Sequence, residues 1–165
     1  MYADLSESER RELARRALDA AESWIRKIVD QQLSRAHGAN YFDTQLAGDT
    51  PVIPKKVRNQ ARFRIQKEPG RFERPIDALT FGELTTIGLH PEHYKTHFRQ
   101  ALDGAYPDGA AEARTFLSRL EDYRNQIAHQ GTCSLRELER CVCYSNDLAG
   151  LIKGFLQSAK HAAFV

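Results

Sequence analysis

The sequence predicts an all-α chain: an up-and-down helical bundle of about five helices, forming one domain over residues 1–165. Three observations predict it. Apolar residues recur at steps of three and four over long stretches, which is the period of one helical face. A serine or threonine stands three places before a glutamate at three such starts, the pattern of a capping box. No segment shows the clean alternation of a strand. The composition, 41% hydrophobic and 28% charged over 165 residues, is that of an ordinary globular domain with one core.

The first helix is expected from about Ser6 to Arg35. Its face carries Ala14, Ala17, Leu18, Ala21, Trp24, Ile25, Ile28, Val29 and Leu33, with Ser6 and Glu9 as its capping box and Gly38 as its stop. Residues 36 to 53 read as a connection. Pro54 opens a short helix whose narrow face is Val57, Ala61 and Ile65, because a missing N–H costs nothing in the first turn. "EPGRFERP" breaks the pattern. "LTFGELTTIGL" restarts it with the Thr80–Glu83 box, and Pro91 opens a helix carrying Tyr94, Phe98 and Leu102. "DGAYPDG" is a turn. A long helix is expected from about Ala110 to Gln130, with the stripe Ala113, Phe116, Leu117, Leu120, Ile127 and Ala128, stopped by Gly131. The Ser134–Glu137 box starts a last helix to about Ala159.

Several classes of function find no support in the sequence. No apolar run approaches the roughly 20 residues of a membrane helix. The charged start "MYADLSESERRELARRALDAAE" has no apolar core of a secretory signal. Three cysteines, an odd number, are expected as reduced thiols of a cytoplasmic protein. Cys141 and Cys143 read as packing residues. His93 and His97 have the i, i+4 spacing of a zinc pair but no evident third ligand. Neither "FGEL" nor "DGAYPDG" has the setting of a phosphate loop. No metal and no cofactor are expected.

Charge is uneven. The net charge is +2, yet residues 55–74 hold eight basic residues against two acidic ones, a local +6 that leaves the rest at −4. Lys55, Lys56, Arg58, Arg62 and Arg64 lead this stretch. It reads either as a polyanion contact, with RNA as the candidate, or as a solvated basic face.

The chemistry is concentrated in "EDYRNQIAHQG", residues 121–131. Asn125 and His129 are i, i+4 and share a face, with Asp122 on the same side one turn earlier. Arg124 and His129 are i, i+5, about 140° apart on an ideal helix. Either the helix loosens before Gly131 and swings His129 round, or Arg124 reaches into a groove shared with a second copy of the chain. Histidine titrates near neutrality and suits general acid–base work. Arginine suits a phosphoryl transition state, and asparagine can orient either group. RNA brings its own nucleophile, the 2′-hydroxyl. On physical grounds alone the segment also reads as a solvated helix end, where the dipole stabilises a histidine.

"LEDYRNQIAHQG" resembles the signature of the HEPN superfamily, α-helical nucleotide- and RNA-binding domains of defence and toxin systems. The family pattern is an arginine, four to six residues, then a histidine, with a polar residue commonly after the arginine. Arg124, Asn125 and His129 match it. The layout of a long first helix, a variable middle, a motif helix and a long last helix is also similar, and "IDALTFGELTTIGL" resembles one subgroup. The resemblance implies a HEPN-like homodimer whose motif helices line one cleft. It implies a metal-independent endoribonuclease of stress response, toxin or anti-phage defence, with Arg124, Asn125 and His129 as catalytic residues. An antitoxin or effector protein is a further partner it allows. Toxins paired with a nucleotidyltransferase antitoxin often carry a tyrosine two residues after the histidine. Here Gly131 stands there, so control through that tyrosine is not carried over. The alternative is a non-catalytic HEPN module that binds RNA or a protein partner, as part of a longer chain.

Overall fold

Helices form where the apolar period predicts them, and all three predicted capping boxes are made. The computed structural model describes residues 2–103, 106–129 and 131–162. The helices are α1 (Glu7–His37), α2 (Lys55–Lys67), α3 (Phe81–Gly88), α4 (Pro91–His93), α5 (Arg99–Leu102), α6 (Ala110–His129) and α7 (Leu135–Ala162). A π-helical stretch, Tyr94–Phe98, joins α4 to α5, and short 3-10 turns cover Tyr41–Asp43 and Pro75–Ala78. Among the described residues there is no strand, only an isolated bridge between Gln45 and Pro51. The all-α class therefore holds. No helix among them is long and apolar enough to cross a membrane.

In each capping box the backbone N–H of the cap residue donates to the glutamate and the glutamate N–H donates to the cap hydroxyl. The distances are 2.8 and 3.3 Å for Ser6–Glu9, 2.8 and 3.3 Å for Thr80–Glu83, and 2.7 and 3.3 Å for Ser134–Glu137. Each box satisfies N–H groups that a helix start leaves open. The expected last residue of α6, Gln130, lies outside the described residues, as do Gly104 and Ala105 of the predicted turn.

The chain packs as two compact units, Met1–Ile25 with Arg99–Val165, and Arg26–Phe98. In the first, Ala14, Leu18 and Ala21 of α1, Ala113, Leu117 and Leu120 of α6, and Leu138, Cys141, Leu148 and Ile152 of α7 are buried. The α6 stripe departs from expectation at its end. Phe116 and Ile127 are half-buried and Ala128 is exposed. The physical reason is the residue that follows Leu120 on that face: steps of four, three and four from Ala113 lead through Leu117 and Leu120 to Arg124. Cys141 packs as predicted, and burial pushes its thiol up to about 12. Cys143 does not, because two helical residues point about 200° apart. It is exposed, with its Sγ 3.8 Å from the Asp147 carboxylate.

In the second unit, Ile28, Val29 and Leu33 of α1 are buried, together with Val57 and Ala61 of α2 and Phe81, Leu84 and Ile87 of α3. The connection over residues 36–53 buries Tyr41, Phe42, Val52 and Ile53. Tyr41 donates to Asp30 at 2.9 Å, and Arg74 grips the same carboxylate at 2.5 and 2.6 Å. His93 is buried, with Nε2 2.8 Å from the Val52 carbonyl. Its ring lies 5.4 Å from that of His90 and 5.9 Å from that of His97, and His97 lies 5.7 Å from His37.

Desolvation holds His93 below the ordinary histidine range, helped by His90 and His37 and opposed by the Val52 bond and Glu92. Burial and the charges of His93 and His37 lower His97 likewise. A histidine whose folded pKa is depressed leaves the unfolded state to take the proton first. Its contribution is complete above the unfolded pKa of about 6.5 and is lost as pH falls through the folded value. The melting temperature should therefore drop between about pH 7.5 and 5.5, a window set around that unfolded value. His93→Gln should flatten the drop. A profile equally steep in the variant would assign the loss to other groups.

Candidate functional site

Arg124 occupies the core-facing stripe of α6 one step past Leu120, where an apolar side chain would continue the packing. A cation there needs a partner. Glu22 of α1 supplies it: the Arg124 Nε lies 3.2 Å from its carboxylate, and the Glu22 side chain is only 14% exposed against 41% for Arg124. Asn125 and His129 point elsewhere. Both are exposed, and neither has a hydrogen-bond partner within the chain among the described residues. The helix stays regular through His129, so it does not loosen to swing the imidazole round. Arg124 and His129 remain about 140° apart and about 7.5 Å apart along the axis. One copy of the chain brings Asn125 and His129 together and keeps Arg124 on another side.

The exit from α6 is built by α1. Gly131 has φ +66°, in the left-handed region that favours glycine. Its carbonyl accepts from Arg11 Nη1 at 2.6 Å, and a Cβ on Gly131 would stand 2.9 Å from that same nitrogen. Arg10 Nε donates to the Cys133 carbonyl at 3.0 Å, and Arg10 Nη1 donates to the Leu5 carbonyl at 2.7 Å. Two neighbouring arginines thus hold the link that follows the motif. A groove of about 370 Å³ lies here, lined by Arg11, Arg15 and its partner Glu12 of α1 and by Ile127, Ala128 and Gly131. It sets cationic side chains beside the turn that carries His129. No local pattern marks Arg10, Arg11 or Glu22, because the residues they act on at the motif lie 102 to 123 positions away.

The basic stretch lies in the other unit, where most of its arginines have structural duties. Arg64 grips Glu83 through two nitrogens, at 2.7 and 2.9 Å, and donates to the Ala78 carbonyl at 2.8 Å. Burial pushes the Glu83 carboxyl up, but Arg64 and the Thr80 N–H together bring it below the ordinary carboxylate range. Glu83 also caps α3, so one carboxylate joins two helices. Arg62 pairs with Asp43, Arg71 with Glu68 and Arg74 with Asp30. Arg58 is half-buried with its Nε out of contact with solvent and without a partner. Lys55 and Lys56 are exposed in the first turn of α2, which has no acidic residue. They add charge where the helix dipole is already positive. Phe63 between Arg62 and Arg64 is 64% exposed, an open aromatic face the apolar pattern did not predict. Among the described residues no three His, Cys, Asp or Glu side chains are arranged to hold a metal ion.

No family model, curated protein or solved structure matches this chain.

Two substitutions separate structural duties from surface ones. Gly131→Ala should destabilise the fold by roughly 1 kcal/mol, from the strained φ and the displaced Arg11. Arg64→Ala should cost about 2 kcal/mol by leaving the half-buried Glu83 without its charged partner, whereas the exposed pair of Arg62 makes Arg62→Ala worth about 0.5 kcal/mol. Denaturant midpoints measure all three. Equal effects at Arg62 and Arg64 would contradict the assignment.

Proposed function

We propose that the chain is a HEPN-type, metal-independent endoribonuclease that acts as a homodimer. The observation that carries this reading is the end of α6. Asn125 and His129 share an exposed face on consecutive turns, next to an arginine held by a carboxylate and a glycine exit clamped by Arg11. The match to Arg-x4-His is the support drawn from the sequence.

In the proposed reaction a neutral His129 imidazole takes the proton of an RNA 2′-hydroxyl. The 2′-oxygen forms a bond to the adjacent phosphorus, and the bond from phosphorus to the 5′-oxygen breaks. The leaving 5′-oxygen takes a proton from a solvent water, and the His129 imidazolium returns its proton to the hydroxide so formed. The products are a 2′,3′-cyclic phosphate and a 5′-hydroxyl, so protons and bonds balance. Arg124 stabilises the charge on the five-coordinate phosphorus, and Asn125 positions the phosphate. A dimer reconciles this with the 140° separation, because residues from two copies converge on one phosphate. Lys55 and Lys56 at the start of α2 give RNA a further contact, with Phe63 as an open stacking surface. The proposed setting is toxin activity or anti-phage defence in the cytoplasm.

The Glu22–Arg124 pair favours a second reading. An arginine already matched to a carboxylate can be a structural tie, and the module then binds RNA or a protein partner without cutting.

Cleavage by the wild-type protein should proceed in EDTA and leave the cyclic phosphate. His129→Ala should lower the rate by about 10²-fold or more and change stability by within about 0.5 kcal/mol, since it removes an exposed group. Arg124→Ala should lower the rate as much but also cost about 1–3 kcal/mol, because it removes a charged partner of the little-exposed Glu22 carboxylate. Mixing the two inactive variants should restore part of the activity if each phosphate draws on both copies. RNA that is bound but never cut would overturn the enzyme reading in favour of the second.

A further inference from the structure

The seam between α6 and α7 carries a feature the motif does not use. Two Arg-x-x-x-Tyr pairs face each other across it, Arg119 with Tyr123 on α6 and Arg140 with Tyr144 on α7. The helices run antiparallel, joined by the five residues 130–134. Gln126 Nε2 donates to Glu137 Oε1 at 2.6 Å, and Arg119 Nη1 donates to the Tyr144 hydroxyl at 3.4 Å. These two bonds fix a register that sets Tyr123 opposite Arg140. Arg119, Asp122, Tyr123 and Arg140 line a cleft of about 270 Å³.

Eight arginines elsewhere are neutralised by carboxylates: Arg15, Arg16, Arg62, Arg64, Arg71, Arg74, Arg99 and Arg124. Arg119 and Arg140 have none among the described residues, although Asp122 lies in the same cleft. Arg119 is held by rings instead: its guanidinium carbon is 5.7 Å from the Phe116 centroid, and Phe116 packs edge-on against Tyr144 at 5.1 Å. A guanidinium fixed against an aromatic surface, but not neutralised, suits a phosphate oxygen. Tyrosine rings beside it suit an unpaired base. The cleft is at the small end of the roughly 300 Å³ and upward typical of ligand sites, which fits a single nucleotide of a strand.

We propose that this cleft holds single-stranded RNA flanking the phosphate at His129, with Arg119 and Arg140 on backbone phosphates and Tyr123 under a base. The proposal rests on the RNA reading of the motif but uses none of its residues. Arg119 is ten residues from His129, about 15 Å along the helix. That is roughly four stacked nucleotides at about 3.4 Å each, so the cleft sets which nucleotides near the cut are read.

The test uses the His129→Ala protein, which keeps RNA intact, and a fluorescent single-stranded oligoribonucleotide titrated at several salt concentrations. Arg119→Gln and Arg140→Gln should each weaken binding several-fold and reduce the slope of log affinity against log salt by about 0.7, the value for one lost single-strand phosphate contact. Arg99→Gln, an equally exposed arginine outside the cleft, should leave the slope unchanged. The same sequence as a duplex should bind less tightly than the single strand. If the parent protein binds the oligonucleotide and both cleft variants keep its affinity and slope, the cleft proposal is overturned and the RNA reading stands. If the parent binds no RNA at any salt concentration, both fall together. Equal affinity for duplex would remove the role given to the tyrosine. Melting curves of the two variants, which lose exposed side chains, should match the parent, and a large drop would recast both arginines as parts of the fold.

Discussion

A helix has one core-facing stripe, and in α6 that stripe runs out into a charge. Ala113, Leu117 and Leu120 are buried, and the next residue on the face is Arg124. The chain tolerates a guanidinium there because Glu22 of α1 meets it at 3.2 Å. Much follows from that exchange. The core stops at Leu120, no later residue of α6 is fully buried, and Ala128 and His129 are left exposed. The polar face with Asn125 and His129 exists because the apolar face opposite it has ended.

The same comparison shows how arginine acts in this chain. It is a poor guide to a polyanion surface when read from the sequence, since charge counts do not reveal pairing. The stretch from Lys55 to Arg74 has the highest density of positive charge, yet Arg62, Arg64, Arg71 and Arg74 each have a carboxylate partner. Arg119 and Arg140, which stand in no basic run, have no carboxylate partner among the described residues, and Arg119 lies against the Phe116 ring. The field available to a ligand depends on which cations are neutralised, and that depends on folding.

What was legible in the sequence was local. Capping boxes act over three residues and amphipathic faces over a turn, so the three helix starts, the long helices and the exposure of the motif could be read directly. Residues 36–53 were missed as structure because Tyr41, Phe42, Val52 and Ile53 are buried without any period. The 3-10 turns and the π-helical stretch carry no apolar repeat either. At the site, the shared face of Asn125 and His129 and their separation from Arg124 followed from helical geometry. Glu22, Arg10 and Arg11 did not, because their partners are set by tertiary packing, and the seam between α6 and α7 emerged only once its register was known.

The clamp of Arg10 and Arg11 on the link before α7 also bears on how the chain is made. During synthesis the first 25 residues emerge long before Gly131 and Cys133 exist. The unit Arg26–Phe98 is continuous and is synthesised in full before Gly131 and Cys133, whose carbonyls Arg11 and Arg10 bind. The other unit must close a loop across that whole insert, and its slowest contacts are those of greatest sequence separation. The turn bearing His129 is therefore among the last places to become native. A nascent chain bearing this motif holds it unassembled until Gly131 and Cys133, whose carbonyls the clamp holds, have been made.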